Sequence, residues 1–221
     1  DYTPGADAEL VETNRIITMP ELPEAPGGSP TPAIVTRAAL NLTGVPSMFV
    51  ASGLRQKPAV PYAELGGEAG CDIRVGPAVP AARSIFENAS LLGRKLSRLS
   101  DCVFIGESIA GGTTTALAVL RALGYQAGVS SSFQSNPTAL KEEVVAQAFS
   151  RAGIKEGELK DQPLRAVQEV GDPMMPAALG LMRGLDGCRT VLAGGTQMAA
   201  VLALAKALDI GGEVSIATTK Y

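Results

Sequence analysis

The sequence predicts an α/β protein with a mostly parallel, Rossmann-like sheet flanked by helices, and with a small, incomplete second domain. From residue 101 onward, short apolar runs alternate with segments of helical periodicity, as in a parallel sheet covered by helices. Residues 103–124 and 190–211 each run from a strand through Gly-Gly-Thr into an apolar helix. Nine of the 15 prolines lie within the first 61 residues. We therefore assign residues 1–45 to the small domain and 46–221 to the parallel α/β domain.

The first elements are separated by proline and glycine. Residues 19–32 are predicted to be an extended loop, because proline removes backbone donors and interrupts helices. Residues 33–42 have helical spacing of apolar side chains, and residues 47–51 form a short apolar run typical of a buried strand. Glycine and proline recur over residues 52–80, and residues 81–99 then show the pattern of an amphipathic helix.

The second part is predicted to contain regular strand and helix alternation. The predicted elements are strand 102–105, helix 114–123, strand 125–130, helix 138–152, helix 175–185, strand 190–193, helix 197–208 and strand 213–217. Because the carboxyl ends of parallel strands share one edge, we expect ligands to bind there.

Composition narrows the class of partner. The net charge of −3 and the lack of a Lys/Arg cluster disfavour binding to nucleic acid or to an anionic membrane, and the chain has no run of eighteen apolar residues. Histidine is absent and the three cysteines lie far apart, so neither a metal site nor a disulfide framework is indicated. We expect a cytoplasmic, soluble protein with a small-molecule partner, no cofactor, and catalysis through carboxylate, hydroxyl, lysine or backbone groups. The start at Asp1, without a secretory signal, suggests a trimmed or partial chain.

The Gly/Thr-rich loop after the first of these strands is predicted to hold a phosphate. Glycines allow a tight turn, and the free amides and dipole of the next helix favour an anion. Gly112 stands where a nucleoside triphosphatase loop carries lysine, so a single phosphate fits better. The candidate contacts are Gly106, Ser108, Gly111, Gly112, Thr113 and Thr114, with Gly194, Gly195 and Thr196 in the second such loop. The alternative is that Gly-Gly merely permits close packing of helix and sheet.

Further polar residues lie at the predicted strand ends. Glu107 is the candidate for proton handling, or else a carboxylate favoured by a helix dipole. Lys141 is either a phosphate ligand or a solvated surface lysine, and Asp172 is either a ligand or a helix cap. The loop before Lys141 adds Ser131, Ser132 and Asn136.

Six segments together resemble one enzyme family. They are TPGADAE, PTPAIVTRAAL, GESIAGGTTTA, SSSFQSNPTALKEEVV, VGDPMMPAALG and VLAGGTQMAAVLAL, and their order covers nearly the whole chain. They resemble the nicotinate-nucleotide:dimethylbenzimidazole phosphoribosyltransferases, in particular the archaeal and cyanobacterial-type branch.

The resemblance implies a transfer of ribose 5-phosphate from nicotinate mononucleotide to a benzimidazole-type base during cobalamin assembly, without a metal. It places Lys141 and the loop from Glu107 to Thr114 at the sugar phosphate, and Gly194, Gly195 and Thr196 in another loop at the strand ends. It also implies a homodimer and a catalytic glutamate in a Gly-rich motif that we expect beyond Tyr221. A non-catalytic nucleotide-binding or assembly protein of the same fold is the alternative.

Overall fold

The computed structural model describes residues 2–21, 23–25, 28–131, 133 and 135–219. The helices within these ranges are α1 (Thr3–Thr13), α2 (Ala33–Thr43), α3 (Ala82–Leu96), α4 (Gly112–Ala122), α5 (Thr138–Ala152), α6 (Pro163–Val170), α7 (Met174–Gly184) and α8 (Thr196–Ala207). The strands are β1 (Glu24–Ala25), β2 (Ser29–Pro30), β3 (Phe49–Ala51), β4 (Tyr62–Glu64), β5 (Cys102–Gly106), β6 (Arg189–Ala193) and β7 (Val214–Ala217).

The main sheet is parallel, with the strand order β5-β6-β7. Its register aligns Phe104 with Val191 and Gly106 with Ala193, so the carboxyl ends of the strands lie at one edge. Strands β3 and β4 form a separate parallel pair, and β1 and β2 a short antiparallel one. The predicted α/β class, with parallel strands and flanking helices, is confirmed.

The core lies between one face of the main sheet and the helices. Helix α4 packs on α8, and their buried side chains include Leu117 and Met198. Ile105 and Leu192 supply the sheet side of this core. Both α4 and α8, the helices that follow the Gly-Gly-Thr turns, thus bury their apolar side chains on the same side of the sheet.

Helices α3 and α7 pack unusually closely through glycines. A Cβ atom at Gly93 would lie 2.5 Å from the carbonyl oxygen of Leu181, and one at Gly184 would overlap the carbonyl of Ser90. The backbones of α3 and α7 therefore lie in direct contact, and this contact leaves no room for a larger residue at Gly93 or Gly184.

The predicted strand over residues 125–130 is wrong. Residues 125–130 belong to no strand ladder, and side chains bond to backbone groups at the end of this segment. Asn136 donates to the carbonyl of Val129 at 2.7 Å, and the amide of Ser130 donates to Oγ1 of Thr196 at 3.1 Å. Local side-chain bonds therefore replace strand pairing here.

The sequence did not predict helices α1 and α6, strand β4 or the short pair of strands β1 and β2. Among the described residues, no helix is both long and apolar enough to cross a membrane. The division near residue 45 and the homodimer remain predictions.

Candidate functional site

A cleft of about 370 Å³ lies at the carboxyl ends of β6 and β7. It is lined by Ala193, Gly194, Gly195, Ala217, Thr218 and Thr219. Glu107, which follows β5, borders the same edge, since a Cβ atom at Gly194 would lie 3.9 Å from its Oε1 atom. The structure thus brings Glu107 and the second Gly-Gly-Thr turn together.

Glu107 is half-buried, and its carboxylate makes no hydrogen bond to another described residue. Burial, and secondly the nearby carboxylate of Asp172, raise the pKa of Glu107 to about 7. A carboxylate with this pKa exchanges a proton readily at neutral pH, which is the property required of a general base.

Asp172 is 4% exposed and fully engaged with the protein. Its Oδ1 atom accepts hydrogen bonds from the amides of Met174 and Met175, and its Oδ2 atom accepts one from the hydroxyl of Thr115. Burial raises the pKa of Asp172 to about 6, against the opposing effect of these three donors. Asp172 therefore caps α7, one of the two roles that its sequence suggested.

The first Gly-rich loop contains one glycine with a left-handed backbone conformation and one glycine that is tightly packed. Gly111 has φ of 72°, a left-handed conformation that glycine adopts without strain, and it directly precedes α4. Gly112 is buried, and a Cβ atom there would lie 2.7 Å from Ile109 and 2.9 Å from Gln197. Gly112 thus packs tightly against its own loop and against α8, and its contact with a ligand stays a prediction.

The hydroxyls of this loop differ in their surroundings. Ser108 donates a 2.7 Å hydrogen bond to Asp7 in α1, and Asp7 also accepts one from Thr31. Thr113 and Thr114 are half-buried in the first turn of α4, whereas Gly106 and Gly111 are exposed. Asp7 was missed by sequence reasoning, because its contact spans 101 residues and has no local signature.

Lys141 is a buried lysine, not a solvated one. It is 5% exposed, and its ammonium donates to the carbonyl of Ser130 at 2.6 Å and to Oδ1 of Asn136 at 2.9 Å. Burial lowers the pKa of this ammonium. Ser130 in turn bonds Thr196 at the start of α8, so Lys141 connects the 129–136 loop to the second Gly-Gly-Thr turn.

The serines in the loop before Lys141 add little to the described site. The hydroxyl of Ser131 accepts a local bond from the amide of Phe133, and Ser132 lies outside the described residues. No group of three or more acidic, cysteine or histidine side chains in the described part of the chain is arranged to hold a metal ion.

Comparisons with known proteins give archaeal relatives of similar sequence. The chain is 51% identical over 225 residues to a UPF0284 protein of Methanosarcina acetivorans, covering 100% of this chain and 64% of the relative. It is 45% identical over 224 residues to the UPF0284 protein PF0303 of Pyrococcus furiosus, covering 100% of this chain and 67% of the relative. The chain thus spans about two thirds of the length of these relatives. No protein-family model matches it.

Two solved structures have the same fold. One is a nicotinate-nucleotide-dimethylbenzimidazole phosphoribosyltransferase from Thermus thermophilus, with a TM-score of 0.56 and 20% identity over 82% of this chain and 56% of that one. The other is CobT from the same organism, with a TM-score of 0.58 and 20% identity over 82% and 57%. The resemblance seen in the sequence is confirmed at the level of the fold, and the relatives come from archaea, as the archaeal branch implies.

Proposed function

The chain belongs to the UPF0284 protein family, and from this premise we propose that it is the nucleotide-binding part of a phosphoribosyltransferase. The reaction moves ribose 5-phosphate from nicotinate mononucleotide to a benzimidazole-type base, in the assembly of the cobalamin nucleotide loop. The observation that carries this proposal is Glu107, half-buried beside the cleft with a pKa raised to about 7.

This transfer reaction requires a carboxylate that can accept a proton near neutral pH. The pyridinium nitrogen of the donor leaves as a neutral base, so the leaving group needs no acid. The lone-pair nitrogen of the incoming base forms the bond to the sugar carbon, on which positive charge develops, and the base must lose the proton of its other ring nitrogen. Glu107 is suited to accept that proton, and its carboxylate stabilises the developing charge.

The donor phosphate has a suitable place nearby. The α4 N-terminus follows Gly111, and the exposed Gly106 leaves the loop open to a ligand. Lys141 uses two of its three ammonium donors on the protein, so one donor is left for an anion. We propose that Gly194, Gly195 and Thr196 complete this site across the sheet edge.

The N-terminal helices fit a small domain. Helix α2 exposes apolar side chains, with Val35 71% and Leu42 88% exposed. We propose that this surface belongs to a small domain that is completed by residues outside this chain.

A transfer assay tests the proposal. The polypeptide that spans the full length of the relatives is incubated with nicotinate mononucleotide and dimethylbenzimidazole, and the products are separated by chromatography. Formation of the α-riboside phosphate and of free nicotinate supports the proposal. Absence of both products across several bases and pH values contradicts it.

The alternative left open by the sequence is nucleotide binding without turnover. Calorimetric titration with nicotinate mononucleotide distinguishes the two functions: binding without product formation supports the binding protein, and product formation excludes it.

A further inference from the structure

The hydroxyl of Ser108 uses its one proton within the protein. Its Oγ atom donates a 2.7 Å hydrogen bond to Oδ2 of Asp7 in α1. A hydroxyl has a single donor and two acceptor lone pairs, so Ser108 can offer a ligand only an acceptor. Ser108 is exposed and Asp7 is half-buried, so both oxygens are accessible to a ligand.

The other oxygen of Asp7 is held by Thr31. Oδ1 of Asp7 accepts a 2.7 Å hydrogen bond from the hydroxyl of Thr31, which is buried. That hydroxyl itself accepts a bond from the amide of Ala33 at 3.2 Å, so its proton is directed to Asp7. Because an ionised carboxylate only accepts, both hydroxyls are donors to Asp7.

The charge of Asp7 is not compensated by a neighbouring cation. Asp7 takes part in none of the ion pairs that the described part of the chain forms. A phosphate at Ser108 would therefore meet an oxygen with only lone pairs and, behind it, a carboxylate of like charge. This end of the first Gly-rich loop disfavours an anion and suits a ligand group that donates, such as a hydroxyl.

The other end of the same loop has the opposite preference. Gly111 directly precedes α4, and no side chain caps this helix. The first amides of α4 and the helix dipole favour an anion. The loop thus has one end suited to a phosphate and one end, at Ser108, suited to hydroxyl groups.

We propose that Oγ of Ser108 accepts a hydrogen bond from a ribose hydroxyl of the donor nucleotide, and that Asp7 is the positioning residue that holds the proton of Ser108. This inference rests on the proposed function, and it assigns Ser108 to the sugar instead of the phosphate predicted from the sequence. The donor phosphate then lies at the start of α4. The reacting sugar carbon lies towards the end of the loop that carries Glu107, the residue before Ser108.

Deoxyribose analogues test the proposal in the polypeptide that spans the full length of the relatives. Calorimetry measures the dissociation constants of nicotinate mononucleotide and of its 2′-deoxy and 3′-deoxy forms. We expect at least one deoxy form to bind the wild type on the order of tenfold more weakly, because it lacks the donor for Ser108. In Ser108→Ala this preference should fall to within about threefold, because the acceptor is gone.

Competition by inorganic phosphate separates the two possible contacts of Ser108. Ser108→Ala should leave this competition unchanged within about twofold. Asp7→Asn should strengthen it and weaken the preference for ribose, because the new amide can donate to Ser108 and release its proton. The matched control is Ser84→Ala, an exposed serine of α3 that bonds the carbonyl of Ala81, and it should change neither measurement.

Two outcomes overturn the proposal. One is equal binding of all three nucleotides to the wild type, and the other is weaker competition by phosphate in Ser108→Ala, which would return Ser108 to the phosphate. A wild type that binds none of the nucleotides contradicts the proposed function as well, so the two failures are distinguishable. Should Asp7→Asn not fold, Ser108→Ala decides the question, because its side chain is exposed.

Discussion

The hydroxyl of Thr115 donates a 2.6 Å hydrogen bond to Oδ2 of Asp172, a residue 57 positions further along the chain. This bond joins the first turn of α4 to the start of α7. The carboxylate of Asp172, after burial, also helps to raise the pKa of Glu107. The first Gly-rich loop is therefore held by the protein before any ligand binds.

Replacing Thr115 with valine should destabilise the fold. Asp172 would keep its two amide donors but lose its hydroxyl donor in a buried place, which costs about 1–3 kcal/mol. The loss should be larger at pH 8 than at pH 5, because the hydroxyl favours the ionised form of Asp172, whose pKa is about 6. Urea unfolding at both pH values measures this, with Thr114→Val as control. Equal effects of the two variants would contradict the assigned role of the bond.

Replacing Glu107 with glutamine should stabilise the protein at high pH. The raised pKa of Glu107 means that the folded state prefers the protonated carboxyl. This contribution is complete below the ordinary value of 4.5 and is lost as the pH rises through about 7. The variant escapes this loss, so we expect equal stability at pH 4 and a gain of about 1–3 kcal/mol at pH 8.

The exposed Glu12→Gln provides the control for this measurement, and its effect should not change with pH in this way. A pH-independent difference between Glu107→Gln and the wild type would show that Glu107 ionises in the folded protein as it does in water.

Glu9 has the opposite pH dependence. It is 0% exposed, and its carboxylate accepts hydrogen bonds from the amides of Ile17, Thr18 and Ala59. Burial raises its pKa, but these donors outweigh burial and leave the pKa lowered. Its contribution is present above 4.5 and is lost as the pH falls through the lowered pKa.

Glu9→Gln turns one acceptor oxygen into a donor that faces an amide. We expect a loss of about 1–3 kcal/mol at pH 7 that shrinks in acid. Thermal unfolding from pH 7 to pH 3 checks this, and a loss that grows in acid would refute the assignment.

Gly184→Ala tests the close contact of α3 and α7. The added methyl group would overlap the carbonyl of Ser90, so backbone must move, at a cost of about 1–3 kcal/mol. Gly76→Ala is the matched control, because a Cβ atom there meets nothing within 4 Å. Similar unfolding midpoints for both variants would exclude a packing role for Gly184.

Lys141→Met should weaken binding of nicotinate mononucleotide on the order of tenfold, through loss of a charged donor and loosening of the 129–136 loop. Calorimetry measures the dissociation constants, with the exposed Lys160→Met as control. A dissociation constant unchanged by Lys141→Met would remove Lys141 from the phosphate site.

The bounds of helices and strands were predicted most accurately where several local sequence signals pointed to the same residue. Helix α5 has the predicted bounds of Thr138–Ala152, because Pro137 precedes its apolar periodicity and Gly153 follows it. Helix α1 was missed because its buried face is built from small residues such as Gly5, Ala6 and Ala8, which give weak periodicity. Its position depends on distant contacts, including Gly5 against the backbone of Gln56.

The candidate site shows the same limit. Glu107 and the Gly-Gly-Thr turns were found from the sequence, because each follows an apolar strand and strand ends share an edge. The links of Asp7 to Ser108 and of Thr115 to Asp172 were not found, since residues far apart in sequence meet through the fold. The predicted strand over residues 125–130 failed for the same reason, since Thr196 and Asn136, which bond the backbone of Ser130 and Val129, are not part of that segment.

We propose that Glu107 is the residue within this chain that handles the proton in phosphoribosyl transfer. The most direct test compares Glu107→Gln with the wild type in a polypeptide that spans the full length of the relatives. Calorimetry measures the binding of nicotinate mononucleotide, and chromatography measures the formation of α-riboside phosphate. We expect binding to stay within about threefold, while product formation falls on the order of a hundredfold. Product formation at the wild-type rate in the variant would contradict the claim.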